Sequence, residues 1–119
     1  MTTKEHTNNR DLAFSYWVRS NLPDSSTGFL VSDLDFILQN YKTKKIMLLE
    51  IKTRNADMKQ WQSKLFKQID KWIRKSIDAE WEYLGFHLIQ FENTYFDDGK
   101  VYFDRKESNE KAIKKALSF

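Results

Sequence analysis

The chain has 119 residues, which is enough for one domain with a real hydrophobic core and too few for two. Forty per cent of the residues are hydrophobic and 31% are charged, a composition typical of an ordered globular protein. There is no cysteine, which excludes disulfides, cysteine nucleophiles and thiolate-bound zinc. No run of about 18 apolar residues occurs, and the polar start lacks the apolar segment of a signal peptide. We therefore expect an intracellular, cytoplasmic protein without a membrane partner.

The net charge of +3 is unevenly distributed along the chain. Residues 41–75 contain eleven Lys or Arg and three acids, a local charge of +8, which leaves −5 for the remainder. This asymmetry indicates one basic face, suited to a polyanion such as nucleic acid. A solvated helix with a lysine-rich exterior explains the same pattern, so charge alone leaves both interpretations open.

Turn signals and apolar periodicity predict a helix followed by two strands in the first half of the chain. Because only a short turn separates the two strands, we expect them to pair as an antiparallel hairpin. In chain order the predicted elements are a helix (residues 9–21), a loop (23–28), an extended segment (29–39), a turn (40–43) and a strand (45–53).

The second half is predicted to add a long amphipathic helix, another strand, a hairpin and a lysine-rich helix. Asp98-Gly99 supplies the positive backbone φ values that a tight hairpin turn requires. Together the elements predict a single α/β domain over residues 1–119, with a mixed central β-sheet flanked by helices. In chain order the predicted elements are a helix (56–77), a strand (83–91), a hairpin (95–103) and a helix (107–117).

Charged residues interrupt the apolar runs of the first predicted hairpin. Asp33 and Asp35 precede the run FIL, and Glu50 and Lys52 follow the run IMLL. Alternate residues of a strand share a face, so the pairing of the two strands brings an aspartate, Glu50 and Lys52 together. An acid-x-Lys triplet occurs four times in the chain, but only Glu50 directly follows four apolar residues. Because charges are costly to desolvate, this cluster requires partners, a metal ion or a function.

Two carboxylates and a lysine are sufficient for hydrolysis of a phosphodiester. Carboxylate oxygens are hard ligands that suit Mg²⁺ or Mn²⁺. The lysine can orient a metal-bound water, help to deprotonate it, or neutralise charge that develops at phosphorus.

The pattern Asp-x(n)-Glu-x-Lys across a hairpin, followed by a long helix, resembles the PD-(D/E)xK nuclease superfamily. The resemblance implies a restriction endonuclease-like αβββαβ core, here followed by a C-terminal β-hairpin and helix. It also implies a DNA-cleaving enzyme that uses Mg²⁺ or Mn²⁺. Asp35, Glu50 and Lys52 would be catalytic, with Asp35 and Glu50 as metal ligands. Asp33 stays open as a second ligand or an alternative to Asp35, whereas Pro23-Asp24 lies in a predicted loop and is rejected.

Many members of that superfamily carry a further polar residue on the helix after the lysine. Gln62 aligns with Leu65 and Phe66 on the apolar side of the predicted helix, so it is the preferred fourth catalytic residue. At least three of the four tryptophans are expected in the core because of their helical spacing. The residues predicted to contact nucleic acid are Arg54, Lys59, Lys64, Lys67 and Lys71.

Two other functions remain open alongside the nuclease. One is a non-catalytic nucleic-acid-binding protein on the same fold, and the other is a protein that binds or inhibits a protein partner. The small size of the chain suggests a homodimer or a subunit of a larger complex. Metal binding separates the nuclease from the other two, and salt-dependent affinity for nucleic acid separates those two from each other.

Overall fold

The computed structural model describes the backbone of residues 2–119 and the side chains from residue 12 onwards. The chain divides into two compact units, Met1–Ser32 and Asp33–Phe119. None of the described helices combines the length and the apolar character that crossing a lipid bilayer requires.

The first unit is mainly helical. Helix α1 covers Thr2–Asn21 and starts seven residues before the prediction, because its first turns are polar and carry no apolar periodicity. A 3-10 turn follows at Ser25–Thr27, within the predicted loop. The Asp24 carboxylate accepts hydrogen bonds from the hydroxyls of the first two residues of this turn. Gly28 ends it with a φ of 91°, a left-handed conformation that glycine adopts without steric cost.

The second unit is a five-stranded mixed sheet with two helices, which confirms the predicted α/β class. The strand order is β1-β2-β3-β4-β5. β2 and β3 are parallel neighbours joined through α2, whereas the other neighbouring strands are antiparallel. In chain order the elements are β1 (Phe36–Asn40), β2 (Lys45–Lys52), α2 (Gln60–Ser76), β3 (Glu82–Phe91), β4 (Val101–Phe103), β5 (Lys106–Ser108) and α3 (Glu110–Leu117).

Helices cover both faces of the sheet. Alternate residues of the strands, including Leu49 and Ile89, form a buried cluster with Ile113 of α3. The residues between them face α2, where the rings of Phe66 and Phe86 lie 4.7 Å apart between centroids. Glu50 belongs to this second face because it alternates with Leu49. β2 is therefore sandwiched between two helical layers, and its residues 47–50 are all buried.

The β1–β2 hairpin is confirmed, but the predicted extended segment over residues 29–39 is only partly a strand. Pairing with β2 begins at Phe36, and Phe29, Leu30 and Val31 are 43–49% exposed without a strand partner in the described chain. Apolar residues alone do not form a strand when no neighbouring strand is available. Among residues 2–119, two strands precede α2, whereas the αβββαβ order of the resemblance has three.

The predicted hairpin at Asp98-Gly99 is wrong. Asp98 instead accepts hydrogen bonds from the backbone of Thr94 and Tyr95, which folds residues 92–100 into a loop between β3 and β4. The tight turn lies at Asp104-Arg105, whose φ values of 50° and 70° are those of the favoured two-residue hairpin turn.

Two helix starts also differ from the prediction. α3 begins at Glu110 instead of residue 107, because Asn109 caps it by accepting from Ala112 N at 2.8 Å, and the preceding residues form β5. α2 begins at Gln60 instead of residue 56, so Asp57 lies outside the helix. Its carboxylate forms an ion pair with Arg105 Nη1 at 2.6 Å.

β1 forms one edge of the sheet. Within residues 2–119 it pairs only with β2. Phe36 and Ile37 lie on opposite faces of this strand and are 55% and 64% exposed.

Candidate functional site

The candidate site lies where the parallel strands β2 and β3 end. Glu50 is level with Leu88, and Lys52 is level with Gln90. In open α/β sheets, ligands bind outside the carboxyl ends of parallel strands. Glu50 and Lys52 are therefore at the end of the sheet that most often carries a site.

The segment after β2 is fixed to the end of β3 by hydrogen bonds. Arg54 N donates to Asn93 O at 2.7 Å, and Gln90 Nε2 donates to Ala56 O at 3.1 Å. Arg54 and Asn55 both have positive φ values, 56° and 57°, which turn the chain sharply away from the strand. The chain can thus leave β2 immediately after Lys52 and still start α2 over the sheet.

Glu50 is the most buried charged residue of the site, with 2% of its surface exposed. Its Oε2 lies 3.3 Å from Lys52 Nζ, and its Oε1 accepts a long hydrogen bond from Asp35 N at 3.3 Å. Asp35 Oδ2 in turn accepts from Ile51 N at 2.8 Å. We call Asp35, Glu50 and Lys52 the Glu50 site. The structure brings these three predicted residues together.

The electrostatics of Glu50 are unfavourable for its charge. Burial is the largest effect that raises the pKa of Glu50, and the neighbouring Asp35 carboxylate raises it further. The hydrogen bond from Asp35 N and the contact with Lys52 lower that pKa, but they do not compensate fully. A buried carboxylate with a nearby lysine and a raised pKa lacks part of the stabilisation that its charge needs.

Gln62 lies on the buried side of α2, with 7% of its surface exposed, as predicted. It is one helical turn before Phe66, which contacts Phe86 of β3. The four residues from Gln62 to Phe66 advance about 6 Å along the helix. That is close to the roughly 6.6 Å between Phe86 and Leu88 along β3, and Leu88 is level with Glu50. Gln62 is therefore on the turn of α2 that is about level with Glu50.

The donor set of the Glu50 site is compatible with Mg²⁺ or Mn²⁺. Mg²⁺ is usually held by one or two carboxylates and keeps several waters, and Asp35 and Glu50 supply two carboxylates. Their mutual repulsion is what a divalent cation would relieve. No group of three or more His, Cys, Asp or Glu side chains with ligand geometry occurs among the described side chains. Asp33 is exposed and, like Asp35, precedes β1, so the shared strand face predicted for the two does not exist.

The predicted nucleic-acid contacts do not form one group with the Glu50 site. Lys64, Lys67 and Lys71 are exposed and lie about 140–200° around the axis of α2 from Gln62. Only Arg54 and Lys59, also exposed, belong to the segment between Lys52 and α2. Lys64, Lys67 and Lys71 thus face away from the sheet.

Three features were missed or misjudged from the sequence. Gln90, beside Lys52, holds the segment after β2, and a glutamine in the otherwise apolar run FHLIQF could have drawn attention to it. Asp104 binds His87 Nδ1 at 2.6 Å, a long-range pair that no local pattern signals. The expectation that at least three tryptophans are core residues is wrong, because three are exposed by 37–54%. They are Trp17, Trp61 and Trp72.

Comparison of the chain with protein-family models, with curated proteins and with solved structures found no significant match.

Proposed function

We propose that this protein is a nuclease that hydrolyses DNA phosphodiester bonds with Mg²⁺ or Mn²⁺ and an activated water. The observation that carries the proposal is the state of Glu50. Its carboxylate is almost fully buried and has a raised pKa, although Lys52 Nζ lies only 3.3 Å away. A pair that served stability alone would be expected to lower the pKa of the acid. Perturbed carboxylates at the ends of parallel strands are characteristic of functional sites.

Each residue of the Glu50 site has a role in this chemistry. Asp35 and Glu50 would hold the metal, which when bound supplies a Lewis acid for a phosphoryl oxygen and lowers the pKa of water. Lys52 is 24% exposed, so its ammonium reaches solvent while one side contacts Glu50. From this position Lys52 orients the attacking water by hydrogen bonding and offsets the negative charge that develops at phosphorus. Gln62, on the turn of α2 that is about level with Glu50, is assigned as the fourth catalytic residue.

A non-catalytic nucleic-acid-binding protein is the second candidate function. The observation in its favour is that Lys64, Lys67 and Lys71 are exposed on the side of α2 that faces away from the Glu50 site. Binding through that side does not require Glu50 or Lys52. In this case the Glu50–Lys52 pair has only a structural role.

The deciding experiment is cleavage of a substrate panel with Mg²⁺, Mn²⁺ or EDTA. The panel contains single-stranded, duplex and branched DNA together with RNA, and the proteins are wild type, Lys52→Ala and the control Lys114→Ala. Lys114 is an exposed lysine of α3, so the control removes the same charge elsewhere. We expect metal-dependent cleavage by wild type and control and a loss of at least about 100-fold in Lys52→Ala. Equal cleavage by all three proteins, or none by wild type, contradicts the proposal.

A further inference from the structure

Two tryptophans of α2 lie at the surface instead of in the core. Trp61 is 37% exposed and Trp72 is 54% exposed. They are eleven residues apart, which is three helical turns and about 16.5 Å along the axis. Both lie about 90° around the helix from Gln62, so they project on the same flank of α2. Two exposed indole rings in one row present flat apolar surfaces on which a ligand can stack.

Exposed lysines accompany each tryptophan. Lys64 and Lys75 follow Trp61 and Trp72 by three residues, a spacing at which side chains are neighbours on a helix surface. Gln68 and Lys71 occupy the surface between the two pairs. We call these six residues the outer face of α2: Trp61, Lys64, Gln68, Lys71, Trp72 and Lys75.

No carboxylate competes for these lysines within α2. The single acid of the helix, Asp70, accepts from Arg74 Nε at 3.0 Å and from Phe86 N at 3.2 Å. It therefore points towards β3, on the side away from the outer face. The ammonium groups of the outer face are available to an external anion.

We infer that the outer face of α2 binds single-stranded nucleic acid. Unpaired bases stack on Trp61 and Trp72, and the lysines beside them neutralise the phosphates of the same strand. The bases of a duplex are already stacked on one another, so the two indole rings would add little to duplex binding. This inference does not depend on the proposed cleavage chemistry, and it would make the outer face a binding site separate from the Glu50 site.

Helix α3 provides a matched control within the same molecule. It also carries exposed lysines, Lys111, Lys114 and Lys115, but its eight residues include no aromatic side chain. If charge alone determined binding, loss of lysines from α3 and from α2 would have similar effects. If stacking is required, only changes on α2 will matter.

The test is the affinity of the full chain for labelled single-stranded DNA, single-stranded RNA and duplex DNA, measured by anisotropy in EDTA. We expect tighter binding to the single strands than to the duplex. Trp72→Ala should weaken single-strand binding by about 5- to 150-fold, the range for loss of one stacked base, and Trp72→Phe should restore part of it. Lys64→Gln/Lys75→Gln should reduce the salt slope by about 1.4, whereas Lys114→Gln/Lys115→Gln should leave it unchanged. The two arms with single strands decide whether DNA or RNA is bound.

Circular dichroism verifies that each variant is folded, and the lysine variants serve as an independent test if a tryptophan variant is not. The inference is wrong if Trp72→Ala binds single strands as tightly as wild type does. It is also wrong if the duplex is preferred or if the α3 variants lose as much affinity as the α2 variants. EDTA prevents metal-dependent cleavage, so failure of binding here is distinct from failure of the proposed nuclease activity.

Discussion

Glu50 and Asp104 are both carboxylates that contact a basic side chain, but their surroundings differ. The Glu50 side chain is 3% exposed, and its compensation consists of Lys52 at 3.3 Å and one long bond from Asp35 N. The Asp104 side chain is 43% exposed and accepts from Leu88 N at 2.9 Å and from His87 Nδ1 at 2.6 Å. Burial opposes the ionisation of Asp104 as well, but these two bonds outweigh it and lower the pKa of Asp104. Burial prevails at Glu50, whose pKa is raised.

The charged form of Asp104 therefore stabilises the fold, whereas the charged form of Glu50 does not. Asp104 joins the turn between β4 and β5 to β3, where its charge is stabilised by the hydrogen bonds of the native state. Ionisation of Glu50 costs folding free energy, because the pKa of this carboxyl is raised in the folded state. A function explains why the chain keeps a carboxylate that costs stability, so we assign Glu50, and not Asp104, to the site.

The largest expected effect concerns activity. Glu50→Gln preserves the shape of the side chain but removes a metal ligand and the charge next to Lys52. We expect cleavage by this variant to fall at least about 100-fold, whereas Asp104→Asn should cleave like wild type. Single-turnover cleavage of the best substrate of the panel measures both. Equal activity of the two variants would remove the functional distinction between the two acids.

Stabilisation of the fold by metal should also depend on Glu50 and not on Asp104. At a metal concentration 100-fold above Kd, wild type should gain about 2.7 kcal/mol in the free energy of unfolding, because the metal binds only the folded site. Asp104→Asn should gain the same amount and Glu50→Gln much less. Thermal unfolding with Mn²⁺ and with EDTA tests this expectation. A full gain in Glu50→Gln would place the metal elsewhere.

Without metal, the two substitutions should change stability in opposite directions. Asp104→Asn should cost about 1–2 kcal/mol, because it weakens the bonds with His87 and Leu88 N while asparagine still tolerates the positive φ of 50°. Glu50→Gln should raise the free energy of unfolding at pH 7, because no charge is then buried. Urea unfolding in EDTA measures both. If Glu50→Gln is the more destabilised variant, Glu50 is a structural residue.

The smallest effect is a pH dependence at His87. Its Nδ1 faces the Asp104 carboxylate and its Nε2 lies 2.7 Å from Leu84 O, and because both partners only accept, both ring nitrogens donate only in the imidazolium. Asp104 raises the pKa of His87 above its ordinary value of 6.5 despite burial of the ring. The resulting stabilisation is complete below pH 6.5 and is lost as the pH rises through the folded-state pKa.

We expect this loss to be about 1 kcal/mol or less. Urea unfolding of wild type and His87→Gln between pH 5.5 and pH 9 measures it, and the difference between the two proteins should shrink as the pH rises. A constant difference would mean that the imidazolium does not contribute. Asp70 also favours the charged form of the His87 ring. The same measurement on Asp70→Asn therefore shows how much of the pH dependence is not due to Asp104.

The sequence was sufficient to predict β2, β3 and the buried position of Glu50. Long apolar runs specify a strand covered on both faces, and a single acid in such a run is conspicuous. Residues 29–31 are equally apolar but exposed, because the existence of a strand depends on a neighbour that local sequence does not reveal. The Asp98-Gly99 dipeptide is a strong turn signal, but the hydrogen bonds of the Asp98 side chain outweigh it here.

The parts of the site that depend on orientation were less predictable. Helical periodicity correctly gave the burial of Gln62, at the centre of the apolar arc of α2. Periodicity could not predict whether Trp61 and Trp72 are buried or exposed. These residues lie at the border of the apolar arc, where packing against the sheet decides burial. The separation of the lysines of α2 from Glu50 likewise depends on which side of the helix faces β3. The His87–Asp104 pair joins residues 17 positions apart and requires the pairing of β3 with β4.

The exposed edge strand β1 has a consequence for how the protein behaves on heating. Its sequence FILQN contains none of the lysines or prolines that commonly protect a sheet edge, and Phe36 and Ile37 are largely exposed. The outer backbone groups of β1 offer a template on which the strand of another molecule can pair. Such pairing becomes faster as molecules collide more often and competes with refolding, so the apparent melting temperature should fall as the protein concentration rises.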